Sequence, residues 1–476
     1  MTSSRRHFLR ATAGLAAAAA HPLGARFSLP LATQLAGLGA LAASQARAAS
    51  TNDGYKALVC LHLAGGNDSH NWIVPTDAGN RASYAAARGE LAWAEGKLQG
   101  ITSGTQASGR SFGMPLELGP LRDWYESGQC AVLANVGTLE RPVTKADYKA
   151  GVGLPAKLFS HNDQAATWQS LQPEGAPSGW GGRMGDILLS ANQHPVFTAV
   201  SASGNAVFLS GNSVTQYQVG TNGPVLINGA QAGWRAGSAN TPGALRSLLA
   251  GSGSNAFEAE YLKVVQRSLS TSSLLQTALG NTALAALPTA PITLPNGSTL
   301  ALNNDALAKQ LRIVAQMIAA GPGLGMRRQV FMVSIGGFDS HSHQMRDQPL
   351  LMARVAQSVN WFLSALQGAG MLNNVVLFST SDFGRTLASN GDGCDHGWGS
   401  HHLIAGGAVK GRQIFGTMPV TALGTADDLG SGRLLPSTSV TQYAATLGAW
   451  MGLSAGELRT VLPNLGSFSS ANLGFV

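Results

Sequence analysis

Short apolar runs at 57–63, 130–136, 330–335 and 375–378, each bounded by Gly, Asn or Ser on at least one side, set the frame of this chain, because runs of that length and composition read as strands. Between several of them lie stretches of helical spacing. One covers 307–318, and in another, 350–366, Leu351, Val355, Val359, Phe362 and Leu366 recur at helical intervals. A last clear helix is expected at 440–451. Strands that alternate with helices imply an α/β fold, with a largely parallel sheet covered on both faces. From about 201 to 302 the texture changes to Ser, Gly, Asn, Ala and Thr, and this stretch reads as an insertion or cap of irregular structure within a domain spanning 49–476. It keeps Val207, Phe208, Leu226 and Ile227, so it is not a disordered tail.

The N-terminal 48 residues read differently. Arg5 and Arg6 precede Phe8 and a weakly hydrophobic, Ala-rich stretch that ends at Ala46-Arg47-Ala48, the pattern of a twin-arginine signal. The run is interrupted by His21, Pro22, Arg26, Pro30 and Gln34, so a stable membrane anchor is not expected. The expected route is export of the folded chain by the Tat machinery to the periplasm or beyond. The formal net charge of +7 is largely the signal's. Without its five arginines, 26 basic residues face 24 acidic ones, which removes any argument for a nucleic-acid partner. The cysteines are Cys60, Cys130 and Cys394, too few for a disulfide framework. Cys60 and Cys130 lie in apolar runs and are expected to be buried thiols.

Three of the strands end in polar clusters: Gly65-Gly66-Asn67-Asp68-Ser69-His70-Asn71, Gly336-Gly337-Phe338-Asp339-Ser340-His341-Ser342-His343, and Ser379-Thr380-Ser381-Asp382-Phe383-Gly384-Arg385. Ligands of open α/β sheets bind beyond the carboxyl ends of the strands, so these clusters are expected to meet at one edge. Shortly after the third comes Cys394-Asp395-His396-Gly397, followed by His401 and His402. Carboxylate with imidazole is the ligand set of a divalent metal. The plainer reading makes Asp68 and Asp339 Asx-turn or cap residues and His402 a packed strand-edge residue. Ser160, where a loop enters a helix, suits a nucleophile for phosphate or sulfate, and equally suits a cap completed by Asp163. Gly109-Arg110-Ser111-Phe112-Gly113 matches a serine-esterase pattern, but the polar residues before it do not form the buried strand that pattern requires.

The sequences at 63–69, 337–341, 381–386 and 394–397, with Ser160-His161-Asn162-Asp163-Gln164, Gly179-Trp180-Gly181-Gly182-Arg183, 405–411 and 450–453, resemble the exported domain-of-unknown-function family numbered 1501. That family is placed in the alkaline phosphatase-like superfamily with sulfatases and phosphoglycerate mutases. The resemblance implies an α/β/α sandwich and a two-metal hydrolase. It implies Asp68 as the first-strand metal aspartate, Asp339 with His341 (or His343 as substitute) as one half-site, Asp382 as the later aspartate and His396 as the histidine closing a site. Ser160 is implied as nucleophile, and Arg385 as the group steadying an anionic oxygen. Phe383 stands where the superfamily commonly has a histidine, which puts the second metal in question. The expected cofactor is one or two divalent ions, Zn or Mn rather than Ca or Mg, and the expected substrate a small anionic ester. The alternative is an inactive exported protein of the same fold that binds metal or assembles with a secreted partner.

Overall fold

The computed structural model of the protein describes residues 54–226 and 255–476, with positions 243, 244, 247, 249 and 251 between them. The stretch 1–48, read above as a signal, lies outside the described residues.

Ten strands form the central sheet. We label them β1 (Lys56–Leu63), β2 (Cys130–Gly137), β3 (Ala199–Ser201), β4 (Tyr217–Gly220), β5 (Gly223–Pro224), β6 (Arg328–Ile335), β7 (Val375–Ser381), β8 (Ser400–Ala405), β9 (Ile414–Phe415) and β10 (Thr438–Ser439). Their order across the sheet is β9-β2-β8-β7-β1-β6-β3-β4-β5, with β10 also paired to β2. β1 lies at the centre and runs parallel to both β6 and β7, while β8 is antiparallel to β7 and β2. The fold is thus α/β with a mostly parallel sheet.

The all-apolar strands are explained by two cores. Ala57, Val59 and Leu61 of β1 enter one cluster with helices α5 (Ala306–Ala320) and α6 (Gln344–Gly368), and Leu58 and Cys60 enter another with Trp168, Trp180 and helix α7 (Val440–Met451). Alternate side chains therefore find cover on both faces, and no polar face is needed. The other helices that matter below are α1 (Ala78–Arg88), α2 (His161–Ser170), α3 (Trp180–Leu188) and α4 (Ala256–Gly280). Cys60, Cys130 and Cys394 are buried and unpaired with one another. Among the described residues no helix is long and apolar enough to cross a membrane.

Two differences from the sequence reading have local causes. α6 begins at Gln344 and runs through Pro349, whose missing N–H forfeits one bond of the ladder, that to the Met345 carbonyl. The Ser/Gly/Asn-rich stretch supplies edge strands β4 and β5 and the 25-residue α4, capped by Asn255 on the amide of Glu258. Part of that stretch lies outside the described residues.

α3 packs so closely on the segment 207–211 that a Cβ added at Gly182 would lie 2.1 Å from the backbone of Ser210, whereas one at Gly79 on α1 would meet nothing. Gly182→Ala is expected to lower stability by about 1–3 kcal/mol. Gly79→Ala is expected to be neutral or stabilising, and thermal melts of the two variants beside wild type check the pair.

Candidate metal centre

Because β1, β6 and β7 are parallel and in register at Leu63, Ile335 and Ser381, their three following loops leave the sheet at one edge. Asp68, Asp339 and Asp382 are each within a few residues of that edge. α2 approaches it with its first residue, His161, and the hairpin formed by strands Arg385–Ser389 and Cys394–His396 brings His396.

Ligand atoms of His161, Asp339 and His396 lie within 4.8 Å of one another. His161 Nε2 is 3.5 Å from Asp339 Oδ2, and His396 Nε2 is 3.3 Å from Asp339 Oδ1. His341 joins them, its Nε2 lying 3.2 Å from Asp339 Oδ1 and 2.8 Å from His396 Nε2. Partners on the far side of two rings decide their tautomers. His161 Nδ1 is 2.8 Å from Asp382 Oδ2, and His396 Nδ1 is 2.8 Å from the Phe159 carbonyl. Both partners only accept, so both Nδ1 atoms carry the hydrogen and both Nε2 lone pairs face the cluster. Phe159 holds its carbonyl there from a left-handed backbone, φ 72°, a conformation unfavourable for an aromatic residue.

Electrostatics act on Asp339, Asp382 and His396. Burial acts to raise the Asp339 carboxyl, but the hydrogen bond and charge of Arg385, with His161 and His341, outweigh it and hold the group below the usual carboxylate range. At Asp382 burial is likewise outweighed, by His62 and His161. Burial, with the charge of Arg385, pushes His396 below its ordinary value against the Phe159 hydrogen bond. Three imidazoles and one carboxylate are a donor set that suits a divalent metal ion, and these residues fit one.

The remaining expected site residues are placed as follows. Asp68 is buried: its Oδ2 accepts from Arg88 and Gln344, and its carbonyl accepts from Gln348 Nε2 at 3.0 Å. Asp68 Oδ1 has no partner. Asp382 touches the cluster through His161, and His62 Nε2 lies 3.2 Å from its other oxygen. His343 caps α6 with its backbone, its amide donating to Asp392 Oδ2 at 2.9 Å, and its ring lies against Ser342, apart from the cluster. Ser160 sits at the N-cap of α2, its hydroxyl donating to Asp163 Oδ2 at 2.9 Å, with no bond from that hydroxyl to the helix amides. Arg385 has no exposed side-chain surface; it donates to the carbonyls of Gly65, Gly66, Phe338 and Cys394 and to Asp339 Oδ1. It therefore holds the carboxylate in place, and no face of it is open to an anionic oxygen. Ser111 precedes the antiparallel strand Phe112–Pro115 and is not on a strand-to-helix turn.

Phe383 is buried, its ring 4.8 Å from that of His161 and 4.4 Å from that of His396, so a phenyl floor lies under two ligands. Gly66 (φ 84°) makes room for it, since a Cβ there would come within 2.4 Å of the ring. Sequence reasoning missed His161, His62 and Arg88 as site residues. His161 was inside the Ser160 motif and masked by it. His62 had a signal of its own, a histidine in an otherwise apolar run one residue before the strand's end. Arg88, the last residue of α1, had none.

Removing the Arg88 charge while leaving Asp68 ionised and buried is expected to cost about 3–5 kcal/mol. Denaturant titration of Arg88→Met should show that loss, and Arg88→Met with Asp68→Asn should recover most of it.

The sequence model of a family described as a protein of unknown function (DUF1501) matches residues 271–462 of this chain. No curated protein matches. Among solved structures the chain is similar to a sulfatase from Pseudoalteromonas sp. (10% identity, 88% of this chain and 72% of that one, TM-score 0.35). It is also similar to a 2-O GAG sulfatase (11% identity, 81% and 72%, TM-score 0.31). A phosphonate monoester hydrolase from Silicibacter pomeroyi is a third such structure (10% identity, 84% and 74%, TM-score 0.32).

Proposed function

We propose that the protein is an exported, metal-dependent hydrolase of phosphate or sulfate esters, built on an alkaline phosphatase-like frame. One observation carries the reading: three ligand atoms within 4.8 Å, on His161, Asp339 and His396, with two lone pairs aimed inward by outer hydrogen bonds. His341 completes the set, and the mixture of imidazole with a single carboxylate favours Zn²⁺ or Mn²⁺ over Ca²⁺ or Mg²⁺. A divalent ion held there supplies Lewis acidity toward an ester oxygen and a lowered pKa for bound water. Asp382 orients His161 by accepting from Nδ1. Ser160, adjacent to His161 at the start of α2, is the proposed nucleophile, its proton already directed to the Asp163 carboxylate. Arg385 fixes Asp339 from below. The twin-arginine pattern at Arg5 and Arg6 supports export by the Tat machinery.

The second reading, an inactive exported protein that binds metal or assembles with a secreted partner, is favoured by the burial of Arg385 and by Phe383 in a ligand's place. A metal-binding form of the second reading keeps the ion, and activity then separates the two.

Metal analysis of protein incubated with zinc or manganese and then desalted is expected to find one equivalent. His161→Ala and His396→Ala should lose it, Asp382→Asn should weaken affinity about 10- to 100-fold, and His343→Ala should leave it unchanged. A screen of phosphate and sulfate esters on the loaded protein then decides between the readings. Folded wild-type protein that takes up neither metal contradicts the hydrolase reading and leaves assembly with a secreted partner in front.

A further inference from the structure

Beside the histidine cluster lies a cavity of about 360 Å³, within the size range of ligand pockets. Its floor includes His62 and Ser334, each one residue before the carboxyl end of its strand, β1 and β6. One wall is a single face of α2, where Asn162, Ala165, Ala166 and Gln169 follow at helical spacing, and Asn205 lies opposite. The cavity and the cluster share α2 and are linked through Asp382. His161, the first residue of α2, is a member of the cluster, and His62 is joined to it through Asp382.

The chemistry of the lining is selective. Three amides and two hydroxyls share the lining with five apolar side chains, among them Ala165 and Ala166, whose methyls lie on the α2 face between Asn162 and Gln169. Among the described residues no lysine or arginine lines the cavity, and the carboxylate in its lining is the exposed Glu174. A second phosphate or sulfate would find no counter-charge here, and a long alkyl chain would leave amides unpaired. An uncharged ring bearing several hydroxyls satisfies both the amides and the methyl patch. The exposed Asn162 amide is poised to bond one of those hydroxyls.

We propose that this cavity is a subsite for the uncharged, hydroxyl-rich part of the substrate, a sugar-like polyol whose ester group reaches the histidine cluster. This rests on the hydrolase reading for the ester, but not for the binding of the polyol.

Metal-loaded wild type, Ala166→Trp and Asn162→Leu would be compared on glucose 6-phosphate and 6-sulfate against 4-nitrophenyl phosphate and sulfate, with melts to confirm folding. The expected result is at least a tenfold higher kcat/KM for a sugar ester in wild type. Both variants should erase that preference while changing aryl-ester hydrolysis less than twofold. Equal hydrolysis of the two ester classes in wild type, or equal losses on both in the variants, overturns the subsite. Should no ester be hydrolysed, the hydrolase reading fails by itself. The subsite is then decided by saturation-transfer NMR with methyl glucoside: transfer in wild type that Ala166→Trp abolishes supports it, and no transfer in wild type overturns it.

Discussion

The edge of the sheet is organised by one buried cation. Arg385 donates to carbonyls of the loop after β1, at Gly65 and Gly66, of the loop after β6, at Phe338, and of its own hairpin, at Cys394. Three chain segments distant in sequence thus converge on one planar guanidinium, and its last contact is the carboxylate of Asp339. Burying a guanidinium is costly unless its donors are met, so the loops are held to the few arrangements that meet them. Two of those carbonyls belong to consecutive glycines of positive φ, which lets the backbone come that close.

Asp339 is the link from that cation to the chemistry. Half-exposed and anionic, it faces His161, His341 and His396, and outer acceptors turn two of those rings so that their lone pairs face inward. The outer layer is itself connected: Thr380 Oγ1 lies 3.0 Å from His62 Nδ1, and His62 reaches Asp382, which reaches His161. The site is thus braced where loops leave adjacent strand ends and one helix starts. Another buried arginine, Arg88, serves a separate purpose, neutralising Asp68 beside α6.

Much of the fold was legible because it depends on periodicity. The runs at 57–63, 130–136 and 330–335 and the helix at 440–451 appear with ends shifted by two residues at most. The polar tail of β7, Ser379 to Ser381, was read as loop, yet it stays in the strand. Ser379 Oγ and Ser381 Oγ bond neighbouring backbone there, so burial costs those hydroxyls little. At the site, the polar clusters at strand ends pointed to the right edge of the sheet, since a parallel sheet sends all such loops to one side. What sequence does not carry is which way each side chain turns. Asp68 and Asp339 both follow glycine pairs at strand ends, and only the nearby Arg88 and Arg385 decide that one is enclosed beside α6 while the other faces the imidazoles. Arg385 read as an anion binder because its charge was visible and its burial was not.

The central claim is that three imidazoles and one carboxylate form a single metal-binding set. X-ray absorption spectroscopy of the zinc-loaded protein measures that shell directly. The account predicts the outer-shell scattering of about three imidazoles on a mainly nitrogen first shell, reduced by one imidazole in His161→Ala. An all-oxygen first shell without imidazole scattering, unchanged in that variant, would contradict it.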